Sequence, residues 1–253
     1  MTAIPLTTTV SGAGSGIVLA HGASGSIASN FGGIIPALAA THTVVASDYP
    51  GDDTRLDLDA LADALVAAAV DARVETFTVL GFSLGTAVAV RAAVRHPDRV
   101  RGLLLAAGFA KPDNRARIAV QAWQDLLDLG DTETFARLSA LVGFSADHLG
   151  SLPTAAVDAL IRQTAAAVPG GTRQQAALVE NVDTTADLAR ITVPTLVLNA
   201  TADLLIDPAN SRMLAAAIPG AEYVEIDAGH ALMVERPAQW WKVIDEFLRR
   251  HRL

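Results

Sequence analysis

The chain contains no cysteine in its 253 residues, which excludes a disulfide framework, a thiolate nucleophile and any cysteine-ligated metal site. Lysine is almost missing as well: Lys111 and Lys242 are the only two, beside 17 arginines. Basic residues number 19 against 27 acids, giving a formal charge of −8, and they are dispersed along the chain. Phosphate binding needs clustered positive charge, so nucleic acid is not an expected partner. No stretch reaches the roughly 18 to 20 uninterrupted apolar residues of a membrane span. The opening Met1-Thr2-Ala3-Ile4-Pro5 has no basic segment leading into an apolar one. No membrane partner is expected, and the expected location is cytoplasmic.

What is present is apolar bulk. Half the residues are hydrophobic and the mean hydropathy is +0.35, enough to bury a parallel sheet and too much for a disordered chain. One folding unit is expected, because α/β sheets with a helical insertion often reach this length.

The patterning alternates between short apolar runs and helical periodicity. Ile17-Val18-Leu19-Ala20, Thr43-Val44-Val45-Ala46, Phe77-Thr78-Val79-Leu80 and Val100 to Ala107 read as strands, with Thr7 to Val10 as a short edge strand. Helical stretches fall between them, around Asn30 to Ala39, Leu56 to Ala72 and Thr86 to Arg95. Strands alternating with helices predict right-handed crossovers and a mostly parallel, doubly wound sheet.

From Lys111 to Ala189 the strand signal stops. Helices are expected near Arg115 to Leu129, Thr132 to Val142, Thr154 to Ala166 and Arg173 to Val182, reading as a helical lid (111–189) inserted into a core made of 1–110 and 190–253. Strands return at Thr195 to Leu198 and Glu222 to Ile226, separated by a helix over Asn210 to Ile218, and a helix over Pro237 to Arg250 closes the chain. Trp240 and Trp241 on that helix are expected to pack on the sheet; oligomeric state, monomer or homodimer, is not legible.

The residues that carry chemistry gather after the strands, where open α/β sheets place their ligand sites. Gly81-Phe82-Ser83-Leu84-Gly85 is a G-x-S-x-G sequence between a strand and a helix. Such a turn is too sharp for side chains at the glycines, and it lifts the serine hydroxyl clear of the sheet. A serine hydroxyl needs a base to become a nucleophile. Of six histidines, His230 in Asp227-Ala228-Gly229-His230-Ala231 sits just beyond the final strand and is the candidate. His21 is expected to shape its loop; His42, His96 and His251 read as surface or helix-end residues, and His148 as a solvated loop residue.

A carboxylate must then fix the imidazole tautomer. Asp203 directly follows the penultimate strand and is the candidate, with Asp207 and Asp227 as rivals, giving the chain order Ser83, Asp203, His230. An oxyanion hole would take one amide from Leu84 and a second from the loop His21-Gly22-Ala23-Ser24-Gly25, at Ala23. Phe82, Phe109 and Trp123 are candidate substrate contacts; Phe109 and Trp123, with Phe135 and Phe144, could equally form lid core, and core is the favoured reading.

These segments resemble the α/β-hydrolase superfamily in its lidded, esterase-like branch. The resemblance rests on His21-Gly22 after a strand, Asp48-Tyr49-Pro50-Gly51, Gly81 to Gly85, Ala202-Asp203, Gly229-His230 and Val234-Glu235-Arg236-Pro237 before the closing helix. It implies a mostly parallel sheet of about eight strands, no cofactor or metal, and a pocket between sheet and lid that takes a small-molecule substrate. There are two departures: a short N-terminal region, which implies that the first family strand is missing, and Asp52-Asp53 where many members continue Gly-x-Gly-x-Ser, a change expected at the pocket rim.

The implied activity is cleavage of an ester-like bond through an acyl-enzyme. The same triad could serve lactone opening, carbon–carbon cleavage, lyase chemistry or cyclisation, and the scaffold could serve as a ligand receptor, since function lives in the site. Other motifs fail: Ser11 to Gly16 lacks dinucleotide-fingerprint spacing, and there is no Walker or H-E-x-x-H sequence.

Overall fold

The computed structural model describes residues 4–253. Its sheet has seven strands: β1 (Thr7–Ser11), β2 (Ser15–Ala20), β3 (His42–Asp48), β4 (Phe77–Phe82), β5 (Val100–Ala106), β6 (Thr195–Ala200) and β7 (Glu222–Ile226). They lie in the order β1-β3-β2-β4-β5-β6-β7, with β1 antiparallel to β3 and every other pairing parallel. Seven strands among the described residues stand where about eight were expected, with a short antiparallel edge at the N-terminal end.

From the edge strand β1 the chain passes inward to β2, steps back outward to β3, which lies between them, then crosses over β2 to β4. Beyond the carboxyl ends of β2 and β4 the order reverses, which opens the crevice where doubly wound sheets bind ligands.

Strand side chains alternate between two cores, following the period of two. Val79 and Leu103 face α3 (Leu58–Asp71) and α4 (Leu84–Arg95) through Leu61, Leu65 and Val88. Leu80 and Leu104 face the other layer, built from α1 (Ile27–Phe31), α2 (Ile35–Ala39) and the closing helix through Phe31, Leu38, Trp240, Ile244 and Phe247. Burial on both faces explains why β4 and β6 read as nearly continuous apolar runs. The helix expected over Asn30 to Ala39 is two short helices instead, because Gly32-Gly33 interrupts the first and Pro36 stands at the start of the second.

Between β5 and β6 the chain forms α5 (Asn114–Asp128), α6 (Thr132–Gly143), α7 (Ala146–Ser151), α8 (Thr154–Ala166) and α9 (Thr172–Asn181). Each of the first three is started by a side-chain cap: Asp113 accepts from Ala116 N at 2.8 Å, Asp131 from Thr134 N at 2.9 Å and Ser145 from His148 N at 3.1 Å. With six residues, α7 is too short to show a periodicity and was not expected. A 3-10 turn over Thr185–Arg190 leads back to the sheet. The chain then completes α10 (Pro208–Ala217), α11 (Leu232–Glu235) and α12 (Pro237–His251). On α12, Trp240 is buried in the core and Trp241 packs half-buried against it. Among the described residues no helix is long and apolar enough to cross a membrane.

Candidate active site

Ser83 sits between the last residue of β4 and the first of α4, with φ 52° and ψ −119°. A non-glycine residue adopts this left-handed backbone only where its surroundings impose it. Here they do: Ser83 N donates to Ala106 O at 2.9 Å, extending the β4–β5 ladder, while Thr86 donates to Ser83 O from both its amide (2.9 Å) and its hydroxyl (2.7 Å). Both glycines of the turn are required sterically. A Cβ on Gly85 would lie 1.9 Å from Ala20 O, and one on Gly81 would lie 2.4 Å from Gly85 O. The turn thus presses β4 and α4 against β2 more closely than any side chain permits.

His230 lies in the loop after β7 and Asp203 in the loop after β6, both buried. His230 Nδ1 is 2.6 Å from Asp203 Oδ2, and Asp203 Oδ1 accepts the amides of Leu205 and Ile206, each at 2.8 Å. Two amide donors orient the carboxylate and stabilise its charge, so its second oxygen is left for the imidazole. The rivals are occupied elsewhere: Asp207 caps α10 through Ala209 N, and Asp227 accepts from Thr201 Oγ1. With Nδ1 engaged, Nε2 is the nitrogen left to His230 for chemistry. Ser83 and His230 line one cavity, and the Phe82 ring packs on the imidazole at 4.9 Å between centroids. No hydrogen bond joins the Ser83 hydroxyl to the imidazole in this geometry, where Nδ1 is the ring nitrogen that is bonded.

The amides of the β2 loop are partly spoken for. Gly22 N donates to Asn30 Oδ1 and Ser24 N to Gln175 Oε1, each at 2.9 Å, leaving the Ala23 amide between them uncommitted at the cavity wall. Leu84 is the first residue of α4, so its amide is among those a helix leaves without an internal partner. His21 holds the start of this loop. Its Nε2 accepts the Tyr49 amide at 3.1 Å, Nδ1 is 2.8 Å from Gly22 O, and the ring stacks on Tyr49 at 3.8 Å. Burial pushes its pKa down to about 4, outweighing the bond to Gly22 and Asp48 nearby, so His21 is neutral at pH 7 and shapes the loop.

The cavity has a volume of about 230 Å³. Phe82, Phe109 and Trp123 all line it, joined by Val120, Leu205, Ile206 and Met233. Among the described residues no titratable side chain but His230 lines it, which favours a small, uncharged occupant. Phe135 is buried behind the wall against Trp123, and Phe144 stacks on His148, so these two are packing residues. Asp52 and Asp53 do not reach the cavity; Asp53 binds Gln174 Nε2 at 2.9 Å and borders a separate, wider groove that holds no serine or histidine.

The helical insertion is bonded to the loops carrying these groups. Arg115 Nη1 donates to Asp203 O at 3.2 Å, and Asp113 Oδ2 accepts from Asp207 N and Asn210 Nδ2. On the His230 side, buried Glu235 accepts Ser145 N (2.8 Å), Ser145 Oγ (2.6 Å) and Gly229 N (3.1 Å), and Ala231 N donates to Gly143 O at 2.8 Å. Glu235, Asn30 and Gln175 were not singled out from the sequence. Their partners are backbone amides 6 to 151 positions away, which no local spacing reports.

Residues 17–242 match the model of the alpha/beta hydrolase family. The chain is 32% identical over 247 residues, covering 94% of it and 92% of its relative, to the pyrrolizixenacetamide deacetylase of Xenorhabdus hominickii. It superposes on the thermophilic esterase of Thermogutta terrifontis with a TM-score of 0.84 and 25% identity, covering 99% of this chain and 95% of that one. The enol-lactonase of Burkholderia xenovorans LB400 shares the fold, with a TM-score of 0.86, 22% identity and 96% of both chains covered. The seven-stranded sheet, the strained serine turn after β4 and the family match over most of the sequence agree, and the chain belongs to the alpha/beta hydrolase family.

Proposed function

We propose that this hydrolase cleaves an ester-like bond (carboxylester, lactone or thioester) of a small, uncharged, largely apolar molecule through an acyl-enzyme on Ser83. The observation that carries the reading is the buried His230–Asp203 pair, bonded at 2.6 Å, whose histidine lines the same apolar cavity as a serine held at positive φ.

In this reading Ser83 Oγ attacks the acyl carbon while His230 Nε2 takes its proton. Asp203, already bonded to Nδ1, stabilises the imidazolium without being protonated. The carbonyl oxygen becomes an oxyanion received by the Ala23 and Leu84 amides, a pair in which each donor is worth about 3 to 4 kcal/mol at the transition state. The C–O or C–S bond then breaks, and the imidazolium returns its proton to the leaving group. Water, deprotonated by His230, cleaves the Ser83 ester and releases the acid. The insertion over residues 111–189 acts as the cap, setting substrate size through Trp123 and Val120, while 1–110 and 190–253 supply the chemistry.

The deacetylase relative, similar over nearly the whole chain, supports including small N-acetyl amides among the substrates. The test is hydrolysis of short and medium p-nitrophenyl esters, simple lactones and N-acetyl anilides by the purified protein beside Ser83→Ala and His230→Ala. Turnover lost in both variants is expected. Turnover retained in Ser83→Ala sinks the assignment, and wild-type binding without turnover favours a receptor.

A further inference from the structure

The β2 loop carries the amide assigned above to the oxyanion, yet nothing in the sheet itself fixes that amide's direction. Ser24, the next residue, has φ 60°, a left-handed backbone that a serine does not hold without external support. Its support comes from across the fold. Gln175, on α9 of the insertion and only 2% exposed, accepts the Ser24 amide on Oε1 at 2.9 Å, a contact between residues 151 positions apart. An amide N–H only donates, so the side-chain oxygen of Gln175 must face the loop. On the other side, Asn30 Oδ1 accepts Gly22 N at 2.9 Å. The two carboxamides grip the peptides on either side of Ala23 and leave its N–H alone unbonded at the cavity wall.

We propose that Gln175 is a positioning residue for catalysis: through Ser24 it fixes the Ala23 amide in the direction the oxyanion needs, so that the cap helix α9 completes the catalytic site as well as covering it. This rests on the serine-hydrolase reading above. It assigns the insertion a role in the chemical step, whereas a cap that only encloses substrate would act on binding. An oxyanion donor works only when it is aimed before the charge develops, and small misplacements in such sites are costly in rate.

The experiment compares Gln175→Met, which keeps the length and removes the acceptor, with Gln175→Glu, which keeps an acceptor oxygen. Both are measured against wild type on the best p-nitrophenyl ester, after titrating competent sites with a fluorophosphonate so that misfolded protein is not counted. The expected result for Gln175→Met is a fall of about tenfold or more in kcat per titrated site with KM little changed. An arylboronic acid that mimics the tetrahedral adduct should lose affinity by a similar factor, and Gln175→Glu should recover most of both losses. If Gln175→Met lowers only the melting temperature or the titratable fraction, with kcat per site and boronate affinity intact, the residue is merely structural and the proposal fails. A rise in KM alone, or equal losses in both variants, also overturns it. Wild-type protein that neither turns over ester nor reacts with the fluorophosphonate would instead refute the underlying hydrolase reading, so the two failures are distinguishable.

Discussion

Strand β4 and helix α8 both contribute to the wall of the same cavity, and they are built to opposite specifications. All six residues of β4 are buried, and the turn that follows is fixed by three hydrogen bonds and two glycines that tolerate no side chain. Helix α8 runs for 13 residues with none buried, and contributes only Thr164 to the cavity. A group that attacks must be held within a fraction of an ångström, while a wall that selects substrates can vary with little harm to the fold. The contrast also runs through the helices between β5 and β6: α5, α9 and the joint between α6 and α7 are bonded to the loops of Asp203, Ala23 and His230, whereas α8 buries none of its residues.

Substitutions at the buried, hydrogen-bonded end should have the largest effects. Asp203→Asn preserves shape but favours the wrong imidazole tautomer, and kcat is expected to fall by about 10⁴-fold with the melting temperature nearly unchanged; steady-state kinetics beside thermal unfolding checks both. Trp240→Ala removes the largest fully buried side chain of the α12 layer. It should cost about 3 to 5 kcal/mol in urea unfolding while leaving KM of the surviving folded protein close to wild type.

A smaller effect depends on pH. His21 is held neutral with a pKa of about 4, below the 6.5 of an exposed histidine. As pH falls below 6.5 the unfolded chain takes up a proton that the native state refuses. Stability is therefore fully present above that point and is lost progressively down to about pH 4, by at most about 3 kcal/mol. Chemical denaturation across pH 4 to 7 should show this slope, and His21→Gln, which does not titrate, should flatten it. The smallest effect belongs to the exposed face of the helices between β5 and β6: Leu129 is 79% exposed, and Leu129→Ser should shift stability by no more than about 0.5 kcal/mol. A loss there comparable to Trp240→Ala would erase the distinction between the two regions.

The same contrast explains what could be read from the sequence. Strands buried on both faces, such as β4 and β6, announce themselves as apolar runs; β7, mostly half-buried, still falls at Glu222–Ile226 as its pattern indicates. The G-x-S-x-G segment is legible because the residues that the turn constrains are neighbours within five positions, although the contact that forbids a side chain at Gly85 comes from Ala20 O on β2. Helix α7 was missed because six residues hold fewer than two turns, and the interruption at Gly32-Gly33 was overlooked inside an otherwise helical stretch. Asp203 is preferred to Asp207 and Asp227 from the sequence for its place directly after the penultimate strand, and the structure brings it to His230 while the other two bond elsewhere. The clamps made by Gln175 and Glu235 were invisible, because a side chain bonding a distant amide leaves no periodic trace.

The most direct test of the central claim is covalent labelling of the wild-type protein with a fluorophosphonate, mapped by peptide mass spectrometry. The account predicts a single adduct on Ser83, absent in Ser83→Ala and formed far more slowly in His230→Ala. No adduct on the folded wild-type protein, or an adduct that persists in Ser83→Ala, would contradict it.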